Sequence, residues 1–162
     1  MTNKSTAAFT LSDPVQFLAL GFGSGLAPKA PGTFGTLAAI PLYLIMVMML
    51  STTSYLALTL LVSVVGIAIC GIAAKKVGVH DHPAIVWDEI AGYLITMAFV
   101  PVSVTNVILG FALFRLFDIV KPWPISIADK RLHGGLGIML DDVLAGIMAC
   151  ACLHVILAFT PF

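Results

Sequence analysis

Charged side chains are scarce in this sequence of 162 residues. It contains eight Lys or Arg and eight Asp or Glu, and 60% of its residues are hydrophobic. About a quarter of the residues in an ordinary soluble domain are charged, so this deficit excludes a soluble globular monomer and a disordered chain. The net charge of zero excludes a nucleic-acid-binding protein, which needs a basic surface. The composition predicts a single domain, residues 1–162, embedded in a lipid bilayer.

Soft metal ligands at regular spacing are also missing. The three cysteines, Cys70, Cys150 and Cys152, lie in apolar stretches at no metal-ligand spacing, so we interpret them as buried apolar residues. His80 and His82 are two positions apart and would point away from each other on a helix. We therefore expect no zinc site, and Asp81 between the two histidines is the better candidate ligand.

Three long stretches carry no charge at all. They span the 45 residues between Lys29 and Lys75, the 25 residues between Glu89 and Arg115, and the last 20 residues of the chain. A membrane-spanning helix needs about 20 mostly apolar residues. The fold class we predict is all-α, a polytopic membrane bundle with about five membrane-embedded helices and a short N-terminal interfacial helix. The five are predicted at Leu37–Leu50, Tyr55–Ala74, Val86–Phe99, Val107–Leu116 and Val143–Phe159.

Short polar segments separate the predicted helices. Ser51–Ser54 is predicted to be the turn between the first two. Pro101 and the Ser, Thr and Asn that follow it are compatible with one kinked helix, but they favour a turn between two helices. Ser12–Leu20 is too short to cross a membrane, and we predict an interfacial helix with Ser12 as its N-cap and Pro14 in its first turn.

Five spans place every charged residue on one face of the membrane. The segments on the other face would be Ser51–Ser54, Pro101–Asn106 and Thr160–Phe162, and none of them carries a charge. Because Lys and Arg favour the cytoplasmic side, we expect the charged face to be cytoplasmic. The acids need a separate explanation, since Asp and Glu contribute little to orientation.

Acidic residues occur where three of the predicted helices meet this face. Asp88 and Glu89 open the third helix, Asp118 closes the fourth, and Asp141 and Asp142 open the fifth. The helix dipole favours acids at an N-terminus, but it disfavours Asp118, which could pair with Arg115 or Lys121. Carboxylates converging from three helices are instead typical of an Mg²⁺ site. The candidate metal ligands are Asp81, Asp88, Glu89, Asp141 and Asp142.

A glycine-rich segment, residues 21–36, precedes the first predicted span. Glycine-rich backbone followed by a helix N-terminus can bind an anion, and a Gly/Pro hinge is the simpler interpretation of the same pattern. If the segment binds phosphate, its candidate ligands are Lys29, Gly32, Thr33 and Thr36. The Gly-Lys-Thr order of a nucleotide-binding loop is missing, so we expect no nucleotide.

A second group of cations surrounds Trp123 and the charged loop that follows it. Arg115, Lys121, Lys130 and Arg131 could hold phosphate oxygens or anionic headgroups, or they could serve only to orient the chain. Acids, cations and a glycine-rich loop at a membrane surface together indicate a phosphorylated lipid ligand.

Four blocks of sequence resemble the phosphatidylglycerophosphatase A family of bacterial membrane phosphatases. The resemblance extends from about Phe17 to Ala158. The blocks, in order, are GFGSGLAPKAPGTFGTLAAIP (Gly21–Pro41), GVHDHPAIVWDEIAG (Gly78–Gly92), FRLFDIVKPWPI (Phe114–Ile125) and HGGLGIMLDDVLAG (His133–Gly146).

This resemblance implies an Mg²⁺-dependent hydrolase that converts phosphatidylglycerophosphate into phosphatidylglycerol and phosphate. It implies an all-helical enzyme of the bacterial inner membrane, with the lipid substrate and the bilayer as its only inferred partners. The site residues that it implies are Asp81, Asp88, Glu89, Asp118, Lys121, Asp129, Asp141 and Asp142. Among these we expect catalytic roles for Asp88, Asp118, Lys121 and Asp142, with Asp118 as general base or nucleophile.

Other function classes lack their signatures in this sequence. The Arg-rich and Ser-Gly-His motifs of histidine-class lipid phosphatases, the Asp-x-Asp motif of aspartyl-phosphate phosphatases and the motif of CDP-alcohol transferases are all missing. A small ion or metal transporter is the alternative from another class, because acids in membrane helices also mark ion pathways. A transporter would place its acids near the middle of the membrane.

Overall fold

The computed structural model describes residues 9–79 and 81–160, and within these ranges the chain is all helical. His80 and the last two residues of the predicted outer segment Thr160–Phe162 lie outside the described residues. The helices are α1 (Pro14–Ala19), α2 (Pro31–Met49), α3 (Thr52–Val77), α4 (Trp87–Thr96), α5 (Val104–Val120), α6 (Ile125–Arg131) and α7 (Gly134–Phe159). Among the described residues, α2, α3 and α7 are long and apolar enough to cross a membrane. The all-α class is confirmed.

Helix α4 lies at the centre of the bundle. It packs against α2, α3, α5 and α7, and all of its residues except Glu89 and Ile95 are buried. After its acidic first turn α4 is mostly apolar. A helix of that kind is buried by protein or lipid, and here protein surrounds it. Ten residues of helix extend only about 15 Å, roughly half the hydrocarbon core of a bilayer.

Helix α5 has one buried face and one exposed face. Asn106, Gly110 and Phe114 are buried at intervals of four, while Ile108 and Leu116 on the other side are more than half exposed. An apolar exposed face is what a lipid-facing helix presents. The structure confirms that α4 and α5 are two helices, with residues 97–103 between them, rather than one helix kinked at Pro101.

Two glycines bring the backbones of α4 and α7 into contact. A Cβ atom on Gly146 would lie 2.5 Å from the carbonyl oxygen of Gly92, and a Cβ on Gly92 would lie 2.8 Å from that of Asp142. Because Gly92 lies one turn after Asp88 and Glu89, this contact places Asp142 beside the acidic first turn of α4.

The predicted start of the last helix is wrong. Helix α7 begins at Gly134 rather than Val143, so Asp141 and Asp142 lie two turns inside it. The dipole effect falls off within the first turn of a helix and does not account for these two acids. The charged loop predicted after Trp123 is also largely helical, because α6 includes Asp129, Lys130 and Arg131.

Two smaller predictions at helix ends are also corrected. Asp13, not Ser12, caps α1, because Pro14 occupies the first helical position and the Asp13 carboxylate accepts from the Val15 N–H at 2.9 Å. The turn between the first two predicted spans is shorter than the predicted Ser51–Ser54. Helix α3 already begins at Thr52, and the Ser51 hydroxyl accepts a hydrogen bond from the Ser54 N–H.

The two ends of the bundle differ in charge. At one end, the α2–α3 and α4–α5 turns surround a cavity of about 380 Å³. Its lining residues are Val47, Leu50, Thr52, Tyr55, Met97, Phe99, Val100, Pro101 and Val102, all uncharged. The acidic residues of α4, α5 and α7 meet at the other end.

Candidate active site

Six carboxylates and two cations line a cavity of about 260 Å³ at the charged end of the bundle. The start of α2, the loop before α4, and helices α4, α5 and α7 all contribute to it. Its acidic residues are Asp81, Asp88, Glu89, Asp118, Asp141 and Asp142, and its cations are Arg115 and Lys121. The structure thus brings together the acids predicted from three separate stretches of sequence.

Asp88, Glu89 and Asp142 form the tightest cluster of acids. One carboxylate oxygen from each lies within 4.8 Å of those of the other two. Asp88 Oδ1, Glu89 Oε2 and Asp142 Oδ2 are buried and have no hydrogen-bond partner among the described residues. Burying carboxylates without partners is expensive, and a divalent cation compensates it. Oxygen ligands of this kind fit Mg²⁺.

Asp141 and Asp129 hold Lys121 at the edge of the cavity. The Lys121 ammonium donates to Asp129 Oδ1 at 2.5 Å and to Asp141 Oδ2 at 2.7 Å. Burial lowers the pKa of Lys121, but the hydrogen bonds to Asp129 and Asp141 outweigh it and hold that pKa above its usual value. Lys121 therefore carries its charge throughout the neutral range. The other oxygen of Asp141, Oδ1, is buried without a partner among the described residues.

Arg115 joins α5 to the acid cluster. Its Nη1 donates to Asp118 Oδ2 at 2.5 Å and lies 3.9 Å from Glu89 Oε1. The Arg115 Nε–H is buried and has no partner among the residues described. Asp118, although it lies in the last turn of α5, is stabilised by this ion pair.

Gly32 allows the first turn of α2 to approach these charges. A Cβ atom at this position would lie 2.3 Å from Glu89 Oε1 and 3.1 Å from Arg115 Nη1. No side chain fits there without displacing one of the two charged groups. Of the four phosphate ligands predicted from the glycine-rich segment, Gly32 is the one that lines the cavity.

Three other residues predicted from that segment do not line the cavity. Lys29 is exposed, and the buried Thr36 hydroxyl donates to the carbonyl of Gly32 at 2.9 Å, within its own helix. Thr33 is likewise outside the lining set. Conversely, Pro83 and Ile85 form part of the cavity wall, and no sequence pattern distinguishes them from other apolar residues.

Comparison with known proteins identifies the same family as the four sequence blocks. The sequence profile described as phosphatidylglycerophosphatase A matches residues 17–157. The chain belongs to the phosphatidylglycerophosphatase A family. The match includes every residue that lines the acidic cavity.

Relatives in this family align over most of their length. Phosphatidylglycerophosphatase A of Escherichia coli K12 is 45% identical over 147 residues, covering 90% of this chain and 85% of the relative. The protein of the same name from Haemophilus influenzae is 45% identical over 148 residues, covering 91% of each. A Bacteroides thetaiotaomicron protein, provisionally named a phosphatidylinositol-3-phosphatase, is 40% identical over 134 residues, covering 78% of this chain and 83% of the relative. No solved structure matches this member of the phosphatidylglycerophosphatase A family.

Proposed function

We propose that this protein hydrolyses the terminal phosphate monoester of phosphatidylglycerophosphate, giving phosphatidylglycerol and phosphate. We also propose that it requires Mg²⁺ and works at the cytoplasmic face of the bacterial inner membrane. The observation that supports this most directly is the set of buried carboxylate oxygens, without hydrogen-bond partners among the described residues, in the cavity that Arg115 and Lys121 also line. Family membership supplies the substrate, and the chemistry of the cavity suits a phosphate ester.

Asp88, Glu89 and Asp142 would hold the metal ion, with Asp81 and Asp141 on the adjoining walls as further ligands. When bound there, Mg²⁺ would polarise the phosphoryl group and offset charge that develops on its oxygens. Of the first three ligands, Asp88 and Glu89 come from α4 and Asp142 from α7, so the Gly92–Gly146 contact between the helices would set the spacing of these ligands.

Arg115 and Lys121 would bind the phosphate. A guanidinium binds phosphate oxygens in a fixed planar geometry, and an ammonium acts as a point charge. Uncatalysed hydrolysis of a phosphate monoester is among the slowest of biological reactions, so preorganised cations around the phosphoryl group are needed. The start of α2 at Ala30 and Pro31 also faces the cavity and adds the positive end of its dipole.

Asp118 would accept the proton from the attacking water. Its ion pair with Arg115 fixes the carboxylate beside the phosphate-binding guanidinium. The water oxygen bonds to phosphorus, the bond from phosphorus to the glycerol oxygen breaks, and that oxygen takes up one proton from solvent. Trapping of a phosphoryl group on Asp118 would instead make this residue the nucleophile.

The helices would cross the membrane five times. Helices α2, α3, α5 and α7 run between the charged and uncharged ends, and α4 with the turn after it completes the fifth passage. Reporters fused to the two termini should therefore read opposite sides, with the N-terminus cytoplasmic. A cytoplasmic reading at both termini would contradict this topology.

A small ion transporter is a weaker fit to the same residues. A transport pathway needs polar groups toward the middle of the membrane. Here the acids gather at one end, and the cavity at the other end is lined by uncharged residues.

Phosphate release by the protein purified in detergent tests the proposed function. With Mg²⁺ present, phosphatidylglycerophosphate should be hydrolysed with a kcat/KM at least about tenfold above that of phosphatidic acid or phosphatidylinositol 3-phosphate. Tenfold corresponds to about 1.4 kcal/mol of differential transition-state binding. Hydrolysis of phosphatidylinositol 3-phosphate alone would contradict the proposed substrate. It would favour instead the substrate in the name of the Bacteroides relative.

A further inference from the structure

We propose that Val86 and the glycines enclosing it position the acidic first turn of α4. The glycines are Gly21, Gly25 and Gly35, and together with Val86 they are called the valine socket below. This inference rests on the proposed function, because it assigns these residues a role in placing Asp88 and Glu89 for metal binding.

The socket has no room for any side chain other than that of Val86, which is fully buried. A Cβ atom on Gly35 would lie 2.6 Å from Val86 Cβ, and one on Gly21 would lie 2.8 Å from Val86 Cγ2. One on Gly25 would lie 3.1 Å from the same Cγ2 atom. Three glycines of the glycine-rich segment, two before α2 and one within it, therefore fit closely around one valine.

The backbone on either side of Val86 is held as well. The Val86 N–H donates to the carbonyl of Ala19 at 2.8 Å. A Cβ atom on Gly25 would lie only 2.0 Å from the carbonyl oxygen of Ala84. The loop before α4 is thus fixed against the segment that follows α1, in its backbone and in its side chain.

Val86 is the N-cap of α4, and Asp88 and Glu89 follow it in the first turn. A displacement of Val86 is transmitted over two or three residues of rigid helix to these carboxylates. Metal ligands must lie within a few tenths of an ångström of their bonding distance, so a small displacement weakens binding. The sequence suggested phosphate binding for the glycine-rich segment. In the structure, three of its glycines pack against the loop before α4.

Val86→Ala tests the inference by loosening the socket. The probe is Mn²⁺ alone, which prefers the same oxygen ligands as Mg²⁺, with binding to the full-length protein in detergent followed by electron paramagnetic resonance. We expect the Kd for Mn²⁺ to rise about tenfold or more, as it does when residues that orient metal ligands are replaced. The KM for the lipid should change less than about threefold, because Arg115 and Lys121 on the α5 side are untouched.

Two further variants separate positioning from general stability. Val86→Thr keeps the branched shape of the side chain while replacing one methyl group with a hydroxyl, and it should restore Mn²⁺ binding to within about threefold of the wild type. Val100→Ala removes the same atoms from a buried valine at the uncharged end and should leave Mn²⁺ binding unchanged. An unaltered Kd in Val86→Ala, or an equal shift in Val100→Ala, would overturn the inference. A wild-type protein that binds no Mn²⁺ would overturn the metal site of the proposed function, and the inference with it.

Discussion

Asp142→Asn should lower the turnover of phosphatidylglycerophosphate by at least about 100-fold while the protein remains folded. Asn keeps the size of the side chain but removes the negative charge from the three-acid cluster. A 100-fold loss corresponds to about 2.7 kcal/mol of transition-state stabilisation, which is in the range expected for the loss of a metal-held contact. Phosphate release under saturating Mg²⁺ and lipid measures the effect.

The thermal stability of Asp142→Asn should stay the same or rise, although its turnover falls. Six carboxylates share the cavity with only two cations, so removing one buried charge relieves repulsion in the metal-free protein. We expect thermal unfolding of Asp142→Asn, measured in detergent with a chelator, at or above the wild-type temperature. A purely structural role for Asp142 predicts the reverse pattern, with lower stability and near-normal turnover.

Asp13→Asn is the matched control for this substitution. Asp13 lies outside the cavity, where the hydrogen bond from Lys76 holds the pKa of its carboxyl below the usual value. The control should retain activity within about twofold, since surface substitutions away from a site have small effects. If Asp142→Asn kept more than a tenth of the wild-type turnover, Asp142 would lose its place among the proposed metal ligands.

Removal of divalent metal should abolish hydrolysis, and added Mg²⁺ should restore it. One carboxylate oxygen of each acid in the cluster is buried without a hydrogen-bond partner among the described residues, so without a cation the cluster should repel the phosphate that Arg115 and Lys121 are proposed to bind. Phosphate release after treatment with EDTA, followed by titration with Mg²⁺, measures this dependence. Full activity in the chelator would refute the metal site.

Mg²⁺ should also stabilise the fold, which gives a readout independent of turnover. A ligand at 100 times its Kd stabilises the native state by about 2.7 kcal/mol. The unfolding temperature of the wild type should rise with Mg²⁺ concentration, and that of Asp142→Asn should rise much less. Equal stabilisation of both proteins would place the ion elsewhere.

The acidic site could be predicted from the sequence because charge is so rare in this chain. Asp88, Glu89 and Asp118 each lie next to a long apolar stretch, where an ionised side chain is costly and is usually retained for function. The five predicted spans placed these three positions at the same end of the helices, and in the structure they line one cavity. The pairing of Lys121 with Asp129 and Asp141 could not be predicted, because these acids lie 8 and 20 residues further along the chain and reach Lys121 only through the packing of α6 and α7.

The start of α7 could not be predicted because local preference and tertiary packing disagree there. Glycine is one of the poorest helix formers, so Gly134, Gly135 and Gly137 argue against a helix. In the structure a Cβ atom on Gly135 would lie 1.8 Å from the carbonyl oxygen of Ile67. Only glycine permits this contact between α7 and α3, and the packing outweighs the propensity.

The enclosure of α4 by other helices could not be predicted from the sequence, for a different reason. Ile90 and Leu94 suit the interior of a protein and the interior of a bilayer equally well, so hydropathy does not distinguish a helix enclosed by protein from one exposed to lipid. Only the arrangement of the surrounding helices shows that α4 is enclosed.

Because other helices surround α4, changes in bilayer thickness or fluidity should have little effect on the position of its carboxylates. Differences in bilayer thickness make lipid-exposed helices tilt or shift, and in the proposed topology those helices are α2, α3, α5 and α7. Because α4 has almost no lipid-exposed surface, such forces reach Asp88 and Glu89 only through neighbouring helices. A cell could therefore alter the chain length and fluidity of its lipids while the carboxylates on α4 keep their arrangement.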